Sequence, residues 1–164
     1  MKNVVASERG DYIRIDILGI IQIDLGKLIH HVEGPVDEKF LCVAVENLSD
    51  GTWEYNDKYI QFVGEDGNMY SGLKDHRFSD DELPPGWFSG AVLIDPGAKV
   101  RMILTLKIPE NGSISKVVYE QCSDRGFHDS NLGKYDEYEK IEIELSKVER
   151  DELNQSPAER GSDL

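Results

Sequence analysis

Apolar and polar residues alternate along most of this chain in short runs. Ile13, Ile15 and Ile17 fall on one side of an extended segment and Tyr12, Arg14 and Asp16 on the other, the period-two pattern of a strand with one buried face. Ile21, Ile23 and Leu25 repeat the pattern after Gly19, and Leu28-Ile29-His30-His31-Val32 extends it past the Gly26 break. Phe40 to Val45 is apolar on both faces, which predicts a central strand. Tyr59 to Val63 is the next strand, and Asp66-Gly67 is a tight-turn signal that returns the chain through Met69-Tyr70. Residues 72–90 read as a long connection with one short edge strand near Phe78. Ala91 to Ile94 precedes the turn Asp95-Pro96-Gly97, where Pro presets one φ and Gly supplies a positive one. Val100, Met102, Leu104 and Leu106 alternate with Arg101, Thr105 and Lys107 until Pro109, which cannot donate to a ladder. Asn111-Gly112 then turns the chain into Ile114 to Tyr119.

Ile141, Ile143 and Leu145 alternate with Glu142 and Glu144 and predict a last strand over 140–146. Tyr138, Ile141, Leu145 and Val148 also fit a helical stripe, but every preceding element is β. From about residue 149 apolar residues nearly cease, which predicts a disordered acidic tail. The expectation is an all-β fold with a lead-in at 1–10, one antiparallel β-sandwich over 11–148 and the tail over 149–164.

Charge narrows the function. There are 18 Lys plus Arg against 32 Asp plus Glu, a net charge of −14, and no basic run. Duplex nucleic acid and anionic lipid reward clustered cations, so nucleic-acid binding and membrane insertion are not expected. No stretch approaches a membrane span and the N-terminus lacks an apolar signal region. A chain starting naturally at Met1 is expected in the cytoplasm; one from which a signal or anchor was trimmed belongs outside the cell or on its surface. Cys42 reads as a small buried hydrophobe, and its pairing with Cys122 is open.

Several turns and strands together resemble a known family. Val43-Ala44-Val45-Glu46-Asn47, followed by Ser49-Asp50-Gly51, is similar to a strand ending in V-x-V-x-N. Asp66-Gly67-Asn68-Met69-Tyr70 resembles an acidic D-G-x-x-Y turn, and Leu93-Ile94-Asp95-Pro96-Gly97 through Ile108-Pro109 resembles the L-x-P-G phrase and its closing strand. Over roughly residues 19–146 the chain resembles a telokin-like, immunoglobulin-fold family of bacteria and archaea. It departs from the family in lacking a signal or anchor, and in having Leu106 where an aromatic usually precedes the closing Pro. The resemblance implies an immunoglobulin-like sandwich that acts as a binding or accessory module. It carries over no catalytic residue; Asn47 would cap a strand end, and Gly67 and Gly97 would supply backbone angles.

Candidate chemistry is sparse. His30 and His31 face opposite sides of a strand and cannot share one metal, though His76 and His128 could join either. Asp75, Asp80, Asp81 and Glu82 make a carboxylate-rich loop of the kind calcium uses, without an EF-hand ladder. Asp124, His128 and Asp129 are a second such cluster. There is no Gly-x-Ser-x-Gly elbow and no phosphate-cradling loop. No catalytic, metal or cofactor residue is assigned, and an enzyme is not expected. The aromatics flanking turns have two readings. Trp53, Tyr55, Trp87 and Phe88 are either partner-binding anchors or rings folded back over an open sandwich end.

The sequence thus points to a non-catalytic protein-interaction or accessory domain whose partner is another protein, with homodimerisation by edge-strand pairing as a further possibility. One alternative is an acidic inhibitor or nucleic-acid mimic seated in a basic site. Against it, ten acids over 136–163 place much of the excess charge at the C-terminal end. The other alternative is a calcium- or zinc-dependent surface domain.

Overall fold

The structure, a computed structural model, describes residues 4–24, 37–71, 86–104, 114–122 and 138–153. Among them eleven strands follow in chain order: β1 (Ala6–Arg9), β2 (Ile13–Asp24), β3 (Asp37–Asn47), β4 (Trp53–Asn56), β5 (Ile60–Gly64), β6 (Met69–Ser71), β7 (Trp87–Phe88), β8 (Ala91–Ile94), β9 (Lys99–Leu104), β10 (Ile114–Cys122) and β11 (Tyr138–Glu144). A single turn of 3-10 helix (Asp57–Tyr59) leads into β5, and one helix, α1 (Lys147–Leu153), follows β11. Apart from these two short pieces, the elements among the described residues are all β-strands.

The strands form a five-stranded sheet of order β1-β2-β3-β9-β7, a four-stranded sheet of order β11-β10-β5-β6, and the ribbon β4-β8. Every pairing is antiparallel except β7 with β9, so the expected purely antiparallel arrangement needs that amendment. Phe40 to Val45 runs through the middle of the larger sheet, as an element apolar on both faces must. Ile13, Ile15, Ile17, Val43, Val45 and Met102 from the larger sheet meet Ile60, Phe62, Val117, Tyr119, Ile141 and Ile143 from the smaller one in a single core. This is the face-to-face packing of a β-sandwich.

The main differences from the sequence expectation lie at Gly19, in the lead-in and in the tail; the last strand also runs over Tyr138–Glu144 where 140–146 was expected. Residues 11–25 are not two strands broken at Gly19 but one strand through Asp24, with a bulge between Ile17 and Gly19. One extra residue flips the alternation. Ile17 opposes Val43, yet Gly19 opposes Cys42, and Ile20 turns into the core. Gly19 supplies the φ of 148° that this kink uses.

The lead-in at 1–10 contains β1, whose residues pair with β2, and Val5 and Ala6 are buried. The tail assigned to 149–164 begins instead as α1. Ser146 and Glu149 cap it reciprocally, Glu149 N–H donating to Ser146 Oγ (3.1 Å) and Ser146 N–H to Glu149 Oε1 (2.8 Å). The helix returns Leu153 to the core, where it is 1% exposed. Residues 154–164 lie outside the described residues, as do the expected strand at 28–32, the edge strand near Phe78, Leu106, Pro109 and the Asn111-Gly112 turn.

One carboxylate ties the two sheets together at an end of the sandwich. Glu139, on β11, faces inward opposite Gln121 and is almost fully buried. Its Oε1 accepts the Asp11 N–H (3.0 Å), and its Oε2 accepts those of Tyr12 and Ile13 (2.8 Å each). These are the backbone donors of the turn from β1 to β2 in the opposite sheet. Gly10 makes the approach possible, because a Cβ there would lie 2.3 Å from Glu139 Oε1. Burial pushes the Glu139 carboxyl above its ordinary range, against the pull of the Ile13 and Asp11 N–H donors.

Two stability predictions follow from this packing. Gly10→Ala displaces a carboxylate held by three donors and should cost about 1–3 kcal/mol in urea unfolding. Leu153→Ala should cost about 2–4 kcal/mol, whereas Val148→Ala on the exposed side of the same helix should stay within about 0.5 kcal/mol. Equal effects of the two helix substitutions would show that α1 is not docked.

Candidate functional site

The outward face of the larger sheet gathers charge that is scattered in the sequence. Cross-strand partners share a face. Arg9 opposes Arg14, Arg14 opposes Glu46, and Glu46 opposes Lys99, so one rung across β1, β2, β3 and β9 carries three cations and one acid. The next rung runs Ser7, Asp16, Ala44, Arg101 and Trp87. Four cations and two acids therefore meet on one face of a protein whose net charge is −14.

The two acids hold the middle of this strip. Glu46 accepts from Arg14 Nη2 at 2.6 Å. Asp16, only 4% exposed, lies 2.9 Å from Lys99 Nζ and 3.4 Å from Arg14 Nε, and accepts from Ser7 Oγ at 2.5 Å. Burial works against its charge, but Ser7, Lys99 and Arg14 together outweigh that effect and hold the carboxyl below its ordinary range.

Arg9 and Arg101 enter no ion pair among the described residues and are both exposed. Arg101 lies over the Trp87 ring, 5.6 Å from its centroid, which orients the guanidinium without neutralising it. Arg9 directly opposite Arg14 is a like-charge pairing, unfavourable for the sheet itself. The strip therefore has charge beyond what its internal ion pairs consume, and it can take carboxylate or other anionic oxygens.

The aromatic residues marked as anchors are placed differently. Trp53 is fully buried, stacked on Tyr12 at 5.5 Å, with Nε1–H donating to Tyr119 Oη at 3.2 Å. Tyr55 is fully buried and stacked on Tyr119 at 5.8 Å. Trp87 is 5% exposed, and Phe88 is partly buried against the core. Partner anchoring by Trp53, Tyr55 and Trp87 is thus corrected: β4 alternates, so Trp53 and Tyr55 face in while Glu54 and Asn56 face out. Tyr119 in turn donates to Gln121 Oε1, and Gln121 Nε2–H donates to Glu54 O at 3.1 Å, which extends a polar chain through this aromatic layer.

Asn47 does end a strand. Its Nδ2 donates to Gly51 O (2.7 Å) and Ile94 O (2.8 Å), while its Oδ1 accepts from Ser49 N–H (2.9 Å). Cys42 is free and buried, and burial pushes its thiol up to about 12, so it is an inert hydrophobe not paired to Cys122. The histidine and calcium-loop candidates (His30, His31, His76, His128; Asp75, Asp80, Asp81, Glu82; Asp124, Asp129) lie outside the described residues. Among the described residues, no cluster of His, Cys, Asp and Glu is arranged to hold a metal ion, and no helix is long and apolar enough to cross a membrane.

Among solved structures the chain is similar to the yjhA protein from Bacillus subtilis, with 16% identity over 89% of this chain and 100% of that one and a TM-score of 0.53. It is also similar to a functionally unknown protein from Listeria monocytogenes EGD-e, with 10% identity over 87% of this chain and 83% of that one and a TM-score of 0.48. The first likeness shows the fold alone. No family model and no curated protein matches the chain.

Asp16→Asn tests the arrangement of the strip. A carboxyl whose folded pKa is lowered contributes stability above the ordinary carboxylate range and loses it as pH falls through the folded value. The variant should be less stable than the parent by about 1–2 kcal/mol near pH 7, a figure discounted for the half-exposed partners. The gap should close below about pH 3. A gap independent of pH, measured by urea unfolding, would show that Asp16 acts through shape and not charge.

Proposed function

We propose that this chain is a non-catalytic protein-interaction module of the immunoglobulin-like sandwich type, and that it engages its partner through the exposed cations at one end of the larger sheet's outward face. The observation that carries the reading is the cation strip of Arg9, Arg14, Lys99 and Arg101, exposed on a protein otherwise dominated by acids. Such a strip steers an oppositely charged surface toward one face and turns other orientations away. The rings at the turns support this choice of face by their burial, which leaves them to packing.

The acidic-decoy alternative draws less support. Glu142, an outward acid of β11, lies between Lys116 (3.4 Å) and Lys140 (3.2 Å), and is therefore partly neutralised where a mimic would present free charge.

Capture of partners from native lysate tests the face. The double variant Arg9→Glu/Arg101→Glu should lose the principal captured protein, while Glu144→Lys, which reverses charge on the opposite sheet, should retain it. Retention by the double variant, or loss only with Glu144→Lys, would overturn the reading.

A further inference from the structure

The geometry of the strip points to its occupant. We propose that the exposed end of this face, the rung of Arg9, Arg14, Glu46 and Lys99 with Arg101 beside it, binds an extended acidic peptide segment lying across β1, β2, β3 and β9, with carboxylates four residues apart. This rests on the interaction-module reading and specifies the chemistry of the same face.

Arg9 and the β9 cations Lys99 and Arg101 stand at the two sides of the strip, with β2 and β3 between them. Three strand spacings of about 4.8 Å place β1 and β9 about 14 Å apart. An extended segment rises about 3.3 Å per residue and turns alternate side chains to one side, so positions i and i+4 face the same way about 13 Å apart. Carboxylates at those two positions meet Arg9 at one end and Arg101 at the other. Position i+2 falls over the middle, where Arg14 is already held by Glu46 and Asp16. A third carboxylate there would face acids already in place, so an uncharged residue fits better.

Arginine suits this ligand because its planar fork takes a carboxylate with two parallel hydrogen bonds. Arg101 is preset for that role by its seat over Trp87.

The same charge count argues against a polyanion. Four cations against two acids leave the strip at +2, so the rest of the chain carries −16 of the total −14. A duplex or an anionic bilayer extends beyond the strip and brings its phosphates within reach of that excess, where repulsion acts over a Debye length of about 8–10 Å. A short peptide stays on the strip.

Titration of the full chain with a peptide of about nine residues bearing Glu at i and i+4 tests the proposal. A control peptide of equal charge carries Glu at i and i+1, which point to opposite sides. Short duplex DNA and phosphatidylserine vesicles serve as polyanion probes. The spaced peptide should bind at least about tenfold more tightly than the control, and Arg9→Glu/Arg101→Glu should abolish the difference. Its binding should weaken when salt is raised from about 0.05 to about 0.3 M. The thermal midpoint of the double variant, compared with that of the parent, separates loss of binding from loss of fold.

Equal binding of the two peptides, no binding of the spaced one, or tighter binding of the duplex or vesicles would overturn the proposal. If lysate capture still depends on Arg9 and Arg101 while the spaced peptide fails, the peptide chemistry is wrong and the interaction face stands. If capture ignores both arginines, the interaction reading itself fails.

Discussion

The buried carboxylate of Asp16 is the constraint on which the outward face of the larger sheet depends. It lies beneath Arg14, beside Lys99 and against Ser7, and so touches residues from β1, β2 and β9 at once. Without that charge, two half-exposed cations on either side of β3 would share a surface with a third, Arg9, placed directly opposite Arg14. Like charges in register destabilise a sheet, and a central acid reverses the sign. The network is partly solvated, so its contribution to stability is modest. Its larger effect is geometric, because it fixes where the inner cations sit and leaves Arg9 and Arg101 unneutralised at the margins.

The interior works on a different principle. The sandwich encloses a layer of large rings at its polar end, with Tyr12 stacked on Trp53 and Tyr55 on Tyr119. The polar atoms of Trp53 and Tyr119 continue into the fold through Trp53 to Tyr119, Tyr119 to Gln121, and Gln121 to the Glu54 carbonyl. Glu139 closes the adjoining corner by accepting three backbone donors from the opposite sheet. Polar groups buried in this way must be satisfied from within the fold, so the same residues are unavailable as reactive or adhesive surface. Packing and surplus charge are thereby separated, with the rings inside and the unpaired cations outside.

Much of the fold was legible because burial leaves a period-two trace. Ile13, Ile15 and Ile17, the doubly apolar run at 40–45 and the Asp66-Gly67 turn stand where alternation and turn chemistry put them, and the last strand, expected over 140–146, runs over Tyr138–Glu144. Alternation failed at Gly19, where one bulged residue moved Ile20 into the core. Composition failed at α1. One leucine among charged residues reads as tail, although Ser146-Lys147-Val148-Glu149 is a capping box that could have announced the helix. The cation strip left less trace. Arg9, Arg14, Lys99 and Arg101 are isolated in sequence, and only the register of four strands brings them together. A search for basic runs cannot find a site assembled across strands. The signal that remained was weak: single cations at outward positions of strands whose other outward residues were uncharged or paired.

The most direct test of the central claim is where a ligand lands on the molecule. Backbone amide spectra of the full chain, recorded as the spaced acidic peptide is added, should shift in β1, β2, β3 and β9, together with the Trp87 indole under Arg101. Shifts confined to β10 and β11 or to the β4-β8 ribbon, or a spectrum that does not change, would contradict the assignment of the larger sheet's outward face as the docking surface.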